Sequence, residues 1–510
     1  MAALKLNDLL KSCRGVVARH CAGQPWQTAD ADPLVTSITD DSRRVTVGSV
    51  FVARHGERTN GGAFIGEAIS RGAVAVISEP GSAMGWPGHW IEVASAPQSL
   101  ADLAEAIHGS PGAQLQLVGV TGTNGKTTIT SLIRQLLNSA GSRCGLIGTI
   151  EVDDGGGVQS AVMTTPGSVE LSAMLARMVS NGCSHAAMEV SSHALAQDRV
   201  AALPFRVAVF TNLTGDHLDY HGTMESYADS KARLFAALAA GTTAIVNAED
   251  PAHGRMLRDC HASVLSCAFE GRAADCTVKI EQADMTQMNC TLRGPWGAIS
   301  QTVPMVGRHN AMNVLQAVAA AHSLGVPLVG LIAGLQAASA PAGRLEPVHS
   351  AGDDIAVLVD YAHTDDALRN VLSALRGVVR GRGRLVALFG CGGDRDRTKR
   401  PRMAQVATEL ADVVWVTSDN PRSEEPSTII REIVAGVPER DVVKVRIDAD
   451  RSAAIAAAVS TAREGDVVLV AGKGHEKEQV IGTQRRPFDD VHEARTALTR
   501  RRQRRREAES

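Results

Sequence analysis

The sequence predicts an α/β protein of three consecutive domains, and three observations carry that prediction. The chain has 510 residues, more than one hydrophobic core organises, so about two to four domains are expected. Short apolar runs alternate with amphipathic stretches of helical length, the rhythm of strand and crossover helix. Those apolar runs end repeatedly in clusters of Gly, Asp, Asn, His and Lys, the composition of ligand-binding loops at the carboxyl ends of strands.

The stretch from Val118 to Thr128, VGVTGTNGKTT, sets the pattern. Leu115 to Val120 reads as a buried strand, and Ile129, Leu132, Ile133, Leu136 and Leu137 recur at helical spacing. Between them Gly122 and Gly125 let backbone N–H groups and the helix N-terminus face an anion, Lys126 adds a full positive charge, and Thr127 offers a hydroxyl to Mg²⁺. The generic phosphate loop has glycine where this chain has Val120, so the loop is a variant. It is expected to bind nucleotide phosphates.

Composition removes several function classes. Hydrophobic content of 44% and charged content of 21% are globular values. Aromatic residues at 3% argue against a stacking platform for single-stranded nucleic acid, and a net charge of −3 gives no general attraction to nucleic acid or acidic membrane. The nine cysteines are scattered without a Cys-x-x-Cys pair, as expected of reduced thiols in the cytoplasm. No secretory signal is evident at Met1 to Cys13, so a cytoplasmic location is expected. Ala311 to Pro341 lacks charged side chains but is broken at Leu324-Gly325-Val326-Pro327, which predicts two buried helices joined by a turn rather than a membrane span. The arginine-rich end, Arg500 to Arg506, reads as a solvated, frayed terminus.

Residues 1–110 mix apolar runs (Ser49 to Ala53, Ala73 to Ile77, His89 to Val93) with turns and form a small α/β domain. Its polar clusters, Thr39 to Arg43 and His55 to Gly61, read by themselves as turns with solvated charge. In the central domain, 111–340, Ala186 to Val190 runs into Ser191-Ser192-His193, and Val207 to Phe210 into Thr211 to Asp219. These clusters belong on the rim of the lysine loop, where Glu189 and His217 are candidates to hold divalent metal. A third domain, 341–510, follows the break at Pro341 to Arg344. Four of its apolar runs end in Asp360-Tyr361-Ala362-His363, Gly390 to Asp396, Ser418 to Arg422 and Ala471 to Glu476, and all four are expected to line one crevice.

Gly122 to Thr127, Glu189 to His193, Asn212-Leu213 with Asp216 to His221, Gly307-Arg308-His309-Asn310, Asp360 to His363 and Gly472 to Glu476, in this order, resemble the motifs of the Mur ligases of bacterial peptidoglycan synthesis. The resemblance covers nearly the whole chain. It implies a UDP-sugar-binding first domain, a P-loop ATP-binding central domain with a mostly parallel sheet, and a Rossmann-like third domain for the incoming amino acid. It further implies that ATP, with Mg²⁺, phosphorylates a D-glutamyl carboxylate of a UDP-N-acetylmuramoyl dipeptide, and that an amine displaces phosphate to form an amide. Lys126, Glu189, His217 and Lys231 are the implied catalytic residues, with Lys231 carbamylated and Thr127, Glu189, His217 and Lys231 around metal. ATP is expected at Gly122, Thr123, Asn124, Gly125, Lys126, Thr127 and Thr128, embraced by Asn310, Arg344 and Asp360. The UDP-sugar is expected at Ser42, Glu57, Arg58, Thr59, Thr164, Thr165, Ser191, Gln197 and Arg199.

The resemblance also bears on the amine. Asp419-Asn420-Pro421-Arg422 resembles the form associated with meso-diaminopimelate, whose distal carboxylate needs a charged, hydrogen-bonding partner; Arg422 and Arg395 supply one. Gly472 and Glu476 are expected at its amino-acid end. The alternatives are the L-lysine-adding form, a folylpolyglutamate-synthase-like ligase and a nucleotide-switch ATPase. Small-molecule substrates, a monomer, no nucleic acid and no membrane insertion are expected. Two departures stand out: Thr364-Asp365 where the family carries Thr-Pro, and Met163 where it often carries asparagine.

Overall fold

Strand Gln116–Thr121 lies near the middle of an eleven-stranded sheet because its side chains are apolar on both faces, with Leu117, Val118 and Val120 fully buried. Burial of that kind stabilises by about 1.5–3 kcal/mol per side chain. The structure, a computed structural model, describes residues 3–21, 23–27, 31–56, 59–81, 88–284, 286–348, 352–379 and 383–509. Gln116–Thr121 pairs in parallel with His185–Glu189 on one side and Phe205–Phe210 on the other. The parallel block runs from Cys144–Ile147 to Cys276–Ala283, and antiparallel strands close both edges. Helix Lys126–Ser139 packs on one face, placing Ile129, Leu132, Ile133, Leu136 and Leu137 in the core.

Two six-stranded sheets flank this body in sequence. The first joins Val16–Cys21, His89–Val93, Ala75–Ser78, Ser49–Ala53 and Ser37–Thr39, with Gln24–Pro25 at its edge. The second orders Glu346–Val348, Ala356–Asp360, Val467–Ala471, Leu385–Phe389, Val413–Val416 and Val445–Ile447, parallel after its first pair. Three α/β units with mostly parallel strands therefore follow one another, as the sequence predicts. The four polar motifs of the third unit leave from the carboxyl ends of four of these parallel strands.

Two expectations need correction. The uncharged stretch forms helices Arg308–Ser323 and Leu328–Gln336 with the turn between them, but the second is only half buried: Leu331 and Leu335 face the core while Val329 is 74% exposed. Among the described residues no helix is long and apolar enough to cross a membrane. The arginine-rich end is no frayed tail. It completes a continuous helix, Asp490–Glu509, whose Arg501 donates from Nε and Nη2 to the two carboxylate oxygens of Asp354 at 2.9 and 2.6 Å and from Nη1 to the Val459 and Ala462 carbonyls. Arg502 pairs with Asp353 at 3.1 Å. Composition suggested solvent; buried acceptors far away in sequence override it.

Those hydrogen bonds from Arg501 hold the Asp354 carboxyl down to about 2, against the opposing effect of burial. A depressed carboxyl contributes stability that is full above its ordinary value of about 4 and is lost as pH falls toward 2. Deleting residues 500–510 is therefore expected to cost on the order of 2 kcal/mol at neutral pH. The shift in unfolding midpoint measures it, and the difference between the two chains should shrink below pH 4; equal midpoints at pH 7 would show that the helix end carries no stability.

Candidate active site

The lysine loop is built by two glycines at positive φ. Gly125, at φ 87°, caps helix Lys126–Ser139, and Gly122 has φ 147°, where an added Cβ would collide with the Thr211 hydroxyl. The turn is tied to the next strand end by Asn124 N to Asn212 Oδ1 at 2.9 Å and Thr211 Oγ1 to Asn124 O at 2.6 Å. Lys126 Nζ donates to the carbonyls of Gly122 and Thr123, both at 2.9 Å, and Lys231 Nζ reaches the same Gly122 carbonyl at 2.9 Å. Two amines thus converge on one carbonyl. Burial lowers the proton affinity of both, and Lys126 pushes Lys231 further down, well below the ordinary lysine value. The Lys231 amine also lies 4.3 Å from the centre of the Tyr227 ring.

Glu189 ends its strand 1% exposed and accepts from Thr127 Oγ1 at 2.9 Å, Thr149 N at 2.8 Å and Thr149 Oγ1 at 3.0 Å. Thr127 and Glu189 are accordingly together, while His217 stands apart from them, beside Asp216 at 3.4 Å and His193 at 4.9 Å between ring centres. Burial holds the His217 imidazole down to about 4, so the ring is neutral at physiological pH and keeps a nitrogen lone pair. Among the described residues no three His, Cys, Asp or Glu side chains form a ready metal cage.

A cleft of about 320 Å³ opens beside the loop, lined by Asn124, Gly125, Thr128, Asn310, Arg344 and Asp360 together with Phe269 and Arg308, whose guanidinium lies 3.7 Å over the Phe269 ring. Arg344 reaches across to Thr127 Oγ1 at 3.2 Å, and Asp366 of the third unit accepts from Asn124 Nδ2 at 2.9 Å. Asp360 spends its carboxylate on the backbone N–H groups of Leu345 and Ala362, both at 2.7 Å. Phe269 ends strand Ser263–Phe269 and Arg308 lies in the Gly307-Arg308-His309-Asn310 motif, but the sequence does not mark them as a pair.

A second cleft, about 420 Å³, brings Arg395, Asp419, Asn420, Arg422, Gly472 and Glu476 to one place with His217 and His193 on the opposite wall. Pro421 does not line it. Lys399 and His363 do, and only the strand-end position of His363 hinted at it. The polar network is closed: Lys473 Nζ, fully buried, donates to Asn420 Oδ1 at 3.1 Å and Glu476 Oε2 at 3.0 Å, and Asn420 Nδ2 donates to Glu476 Oε2 at 2.7 Å. Beneath the cleft the fully buried pair Arg451 and Asp490, 2.6 Å apart, ties the last helix to the carbonyls of Ser418 and Ala471.

On the first unit's side, Gln197 and Arg199 line a small cleft with Asp40 and Arg54. Arg199 Nη1 donates to the Thr165 carbonyl at 2.7 Å, and Thr165 Oγ1 donates to the Glu189 carbonyl at 2.8 Å and accepts from Ser191 N at 3.0 Å. Thr164 shares a hydrogen bond with Thr149 at 3.0 Å. Ser42 is buried and donates to Glu67 at 2.6 Å, and Thr59 lies in the short segment before Gly61; neither lines this cleft. Glu57 and Arg58 lie outside the described residues. Arg54, which motif reading passed over, instead pairs with Asp40 at 2.6 Å.

Three family descriptions match the chain in order: Mur ligase family, catalytic domain, over residues 34–108; Mur ligase middle domain over 120–321; and Mur ligase, glutamate ligase domain, over 343–474. A UDP-N-acetylmuramoyl-L-alanyl-D-glutamate--2,6-diaminopimelate ligase of Gloeobacter violaceus is 45% identical over 99% of this chain and 100% of its own length. The ligase of the same name from Bacillus licheniformis is 40% identical over 97% and 99%. A solved structure of a ligase with that name superposes with a TM-score of 0.70 at 31% identity, covering 98% of this chain and 100% of the other. A Mycobacterium tuberculosis folylpolyglutamate synthase bound to ADP and AMPPCP, 20% identical with a TM-score of 0.61 over 78% and 93% of the two chains, shares the fold.

Because no side chain fits at position 122, Gly122→Ala is expected to weaken ATP binding by roughly tenfold or more while leaving the fold in place. Titration with a fluorescent ATP analogue, alongside circular dichroism, measures it. Unchanged affinity would mean that the turn is not constrained as described.

Proposed function

The chain belongs to the Mur ligase family, and on that premise we propose that it is the ATP-dependent ligase that joins meso-diaminopimelate to the D-glutamyl carboxylate of UDP-N-acetylmuramoyl-L-alanyl-D-glutamate in peptidoglycan precursor synthesis. The observation that carries the donor assignment is the second cleft. It gathers Arg422 and Arg395 with a Glu476 carboxylate locked by Lys473 and Asn420. In a donor that carries a carboxylate and an ammonium at each end, the arginines suit a carboxylate and Glu476 suits an ammonium.

In the reaction the glutamyl carboxylate oxygen attacks the terminal phosphorus of ATP, the bond to the bridging oxygen breaks, and ADP leaves with that electron pair. The amine nitrogen then attacks the acyl carbon, sheds a proton and expels inorganic phosphate. Lys126 and the N–H groups around Gly125 are positioned to hold the phosphates, with the first cleft taking the nucleoside. Thr127 and Glu189 would hold Mg²⁺: they are hard oxygen donors 2.9 Å apart, and among the described residues no basic side chain pairs with the carboxylate. When bound, Mg²⁺ neutralises charge that grows on the phosphate oxygens. Neutral His217 would hold a second ion on the side facing the amine cleft.

The depressed Lys231 amine is the form that reacts with CO₂: its nitrogen bonds the carbon, one proton is lost, and an anionic carbamate replaces an ammonium that would crowd Lys126. The UDP-sugar reading rests on Arg199 and Gln197, whose polar groups face Asp40 and Arg54 across the gap between the first two units. Arg344 and Asp366, bonded across to the loop, support closure of the third unit over bound nucleotide.

Phosphate release with ATP, Mg²⁺ and the UDP-dipeptide is expected with meso-diaminopimelate and not with L-lysine or without amine, accompanied by a tripeptide product by mass. With lysine, Arg422 would face an ammonium and stay unpaired, a discrimination on the order of 10⁴-fold. Arg422→Ala should erase most of it. An Arg422→Ala enzyme that still prefers diaminopimelate would sink the donor assignment, and release indifferent to the amine would sink the ligase reading.

A further inference from the structure

Two like-charged arginines share one cleft, and burial, with Arg395 next in effect, lowers the proton affinity of Arg422. Their loops are also strained: Arg422 has φ 52° and Asp394 has φ 53°. Such an arrangement persists only where the surroundings over-determine it. Arg422 Nη1 donates to the Gly393 carbonyl at 2.6 Å, and Ser423 Oγ donates to Asp394 at 2.7 Å, so the two loops are in direct contact.

Behind both loops lies Arg400, fully buried near the start of helix Lys399–Leu410. Its Nη1 donates to Glu424 at 2.9 Å and Glu432 at 2.6 Å, and its Nη2 to Glu424 at 2.8 Å and the Gly392 carbonyl at 3.2 Å. Glu424 in turn accepts from the Asp394 N–H at 2.7 Å. One buried guanidinium therefore joins the glycine turn that carries Arg395 to the loop that carries Arg422. A buried ion network of this kind adds little net stability over apolar packing, and its strongest attested use is to fix a geometry.

We propose that Arg400 is a positioning residue which, through Glu424 and the Gly392 carbonyl, sets Arg395 and Arg422 for the distal carboxylate of the amine donor, so that selection of a dicarboxylate donor depends on a side chain that never touches it. The inference rests on the ligase reading above.

Arg400→Lys keeps the charge but loses the fork, and Glu424→Gln keeps the shape but loses the charge on a partly exposed partner. Each is expected to raise KM for meso-diaminopimelate by roughly tenfold with kcat and the KM values for ATP and UDP-dipeptide little changed, and to narrow discrimination against L-lysine by a similar factor. Glu424→Gln carries the test if Arg400→Lys does not fold. An unchanged KM for diaminopimelate, or a fall in kcat alone as from a smaller folded fraction, overturns the inference. A parent enzyme that does not select diaminopimelate at all overturns the ligase reading instead, so the two failures are distinguishable.

Discussion

The site depends on the convergence of two lysines on the carbonyl of Gly122. Lys126 and Lys231 come from helices a hundred residues apart in sequence, yet both amines reach the same oxygen at 2.9 Å, Lys231 from a fully buried position and Lys126 from a half-buried one. Two ammonium groups so placed repel one another, and the burial that makes the repulsion strong also favours the neutral amine. One geometric cause thus places two amines beside the phosphate loop and disfavours a second full positive charge there.

The rest of the architecture serves to bring other groups to that point. Parallel sheets deliver their polar motifs at carboxyl ends, and the central and third sheets turn those ends toward each other. Glu189, His217 and Thr211 leave one rim; Asp360, Asp419 and Gly472 leave the other. The bonds from Arg344 to Thr127 and from Asn124 to Asp366 then cross the gap, so the lysine loop is in contact with the third unit.

The three α/β units and the strand-end motifs were legible because period-two and period-3.6 patterns, glycine turns and polar clusters are local properties. Lys126, Glu189, Asp419 and Glu476 could be read for that reason. The pairings of Phe269 with Arg308, Arg54 with Asp40, and Arg400 with its two glutamates could not, because each depends on where the fold brings the partner. The arginine-rich end was misread for the same reason, since its acceptors lie near residue 354. Half-burial of helix Leu328–Gln336 escaped notice because an uncharged composition fails to distinguish a face against the core from one against solvent.

The fully buried pair of Arg451 and Asp490 sits beneath the second cleft, and Asp490 opens the last helix. A ribosome makes the chain from its amino end, so the nucleotide loop and its sheet emerge whole long before Asp490 exists. During synthesis the lysine loop is therefore present while the Arg451 side of the second cleft still lacks its counter-charge. Before the final helix emerges, burying Arg451 would leave its charge without the Asp490 counter-ion, and removing one partner of a buried ion pair costs about 3–5 kcal/mol. The last helix is thus the element whose arrival completes the charge balance beside the second cleft.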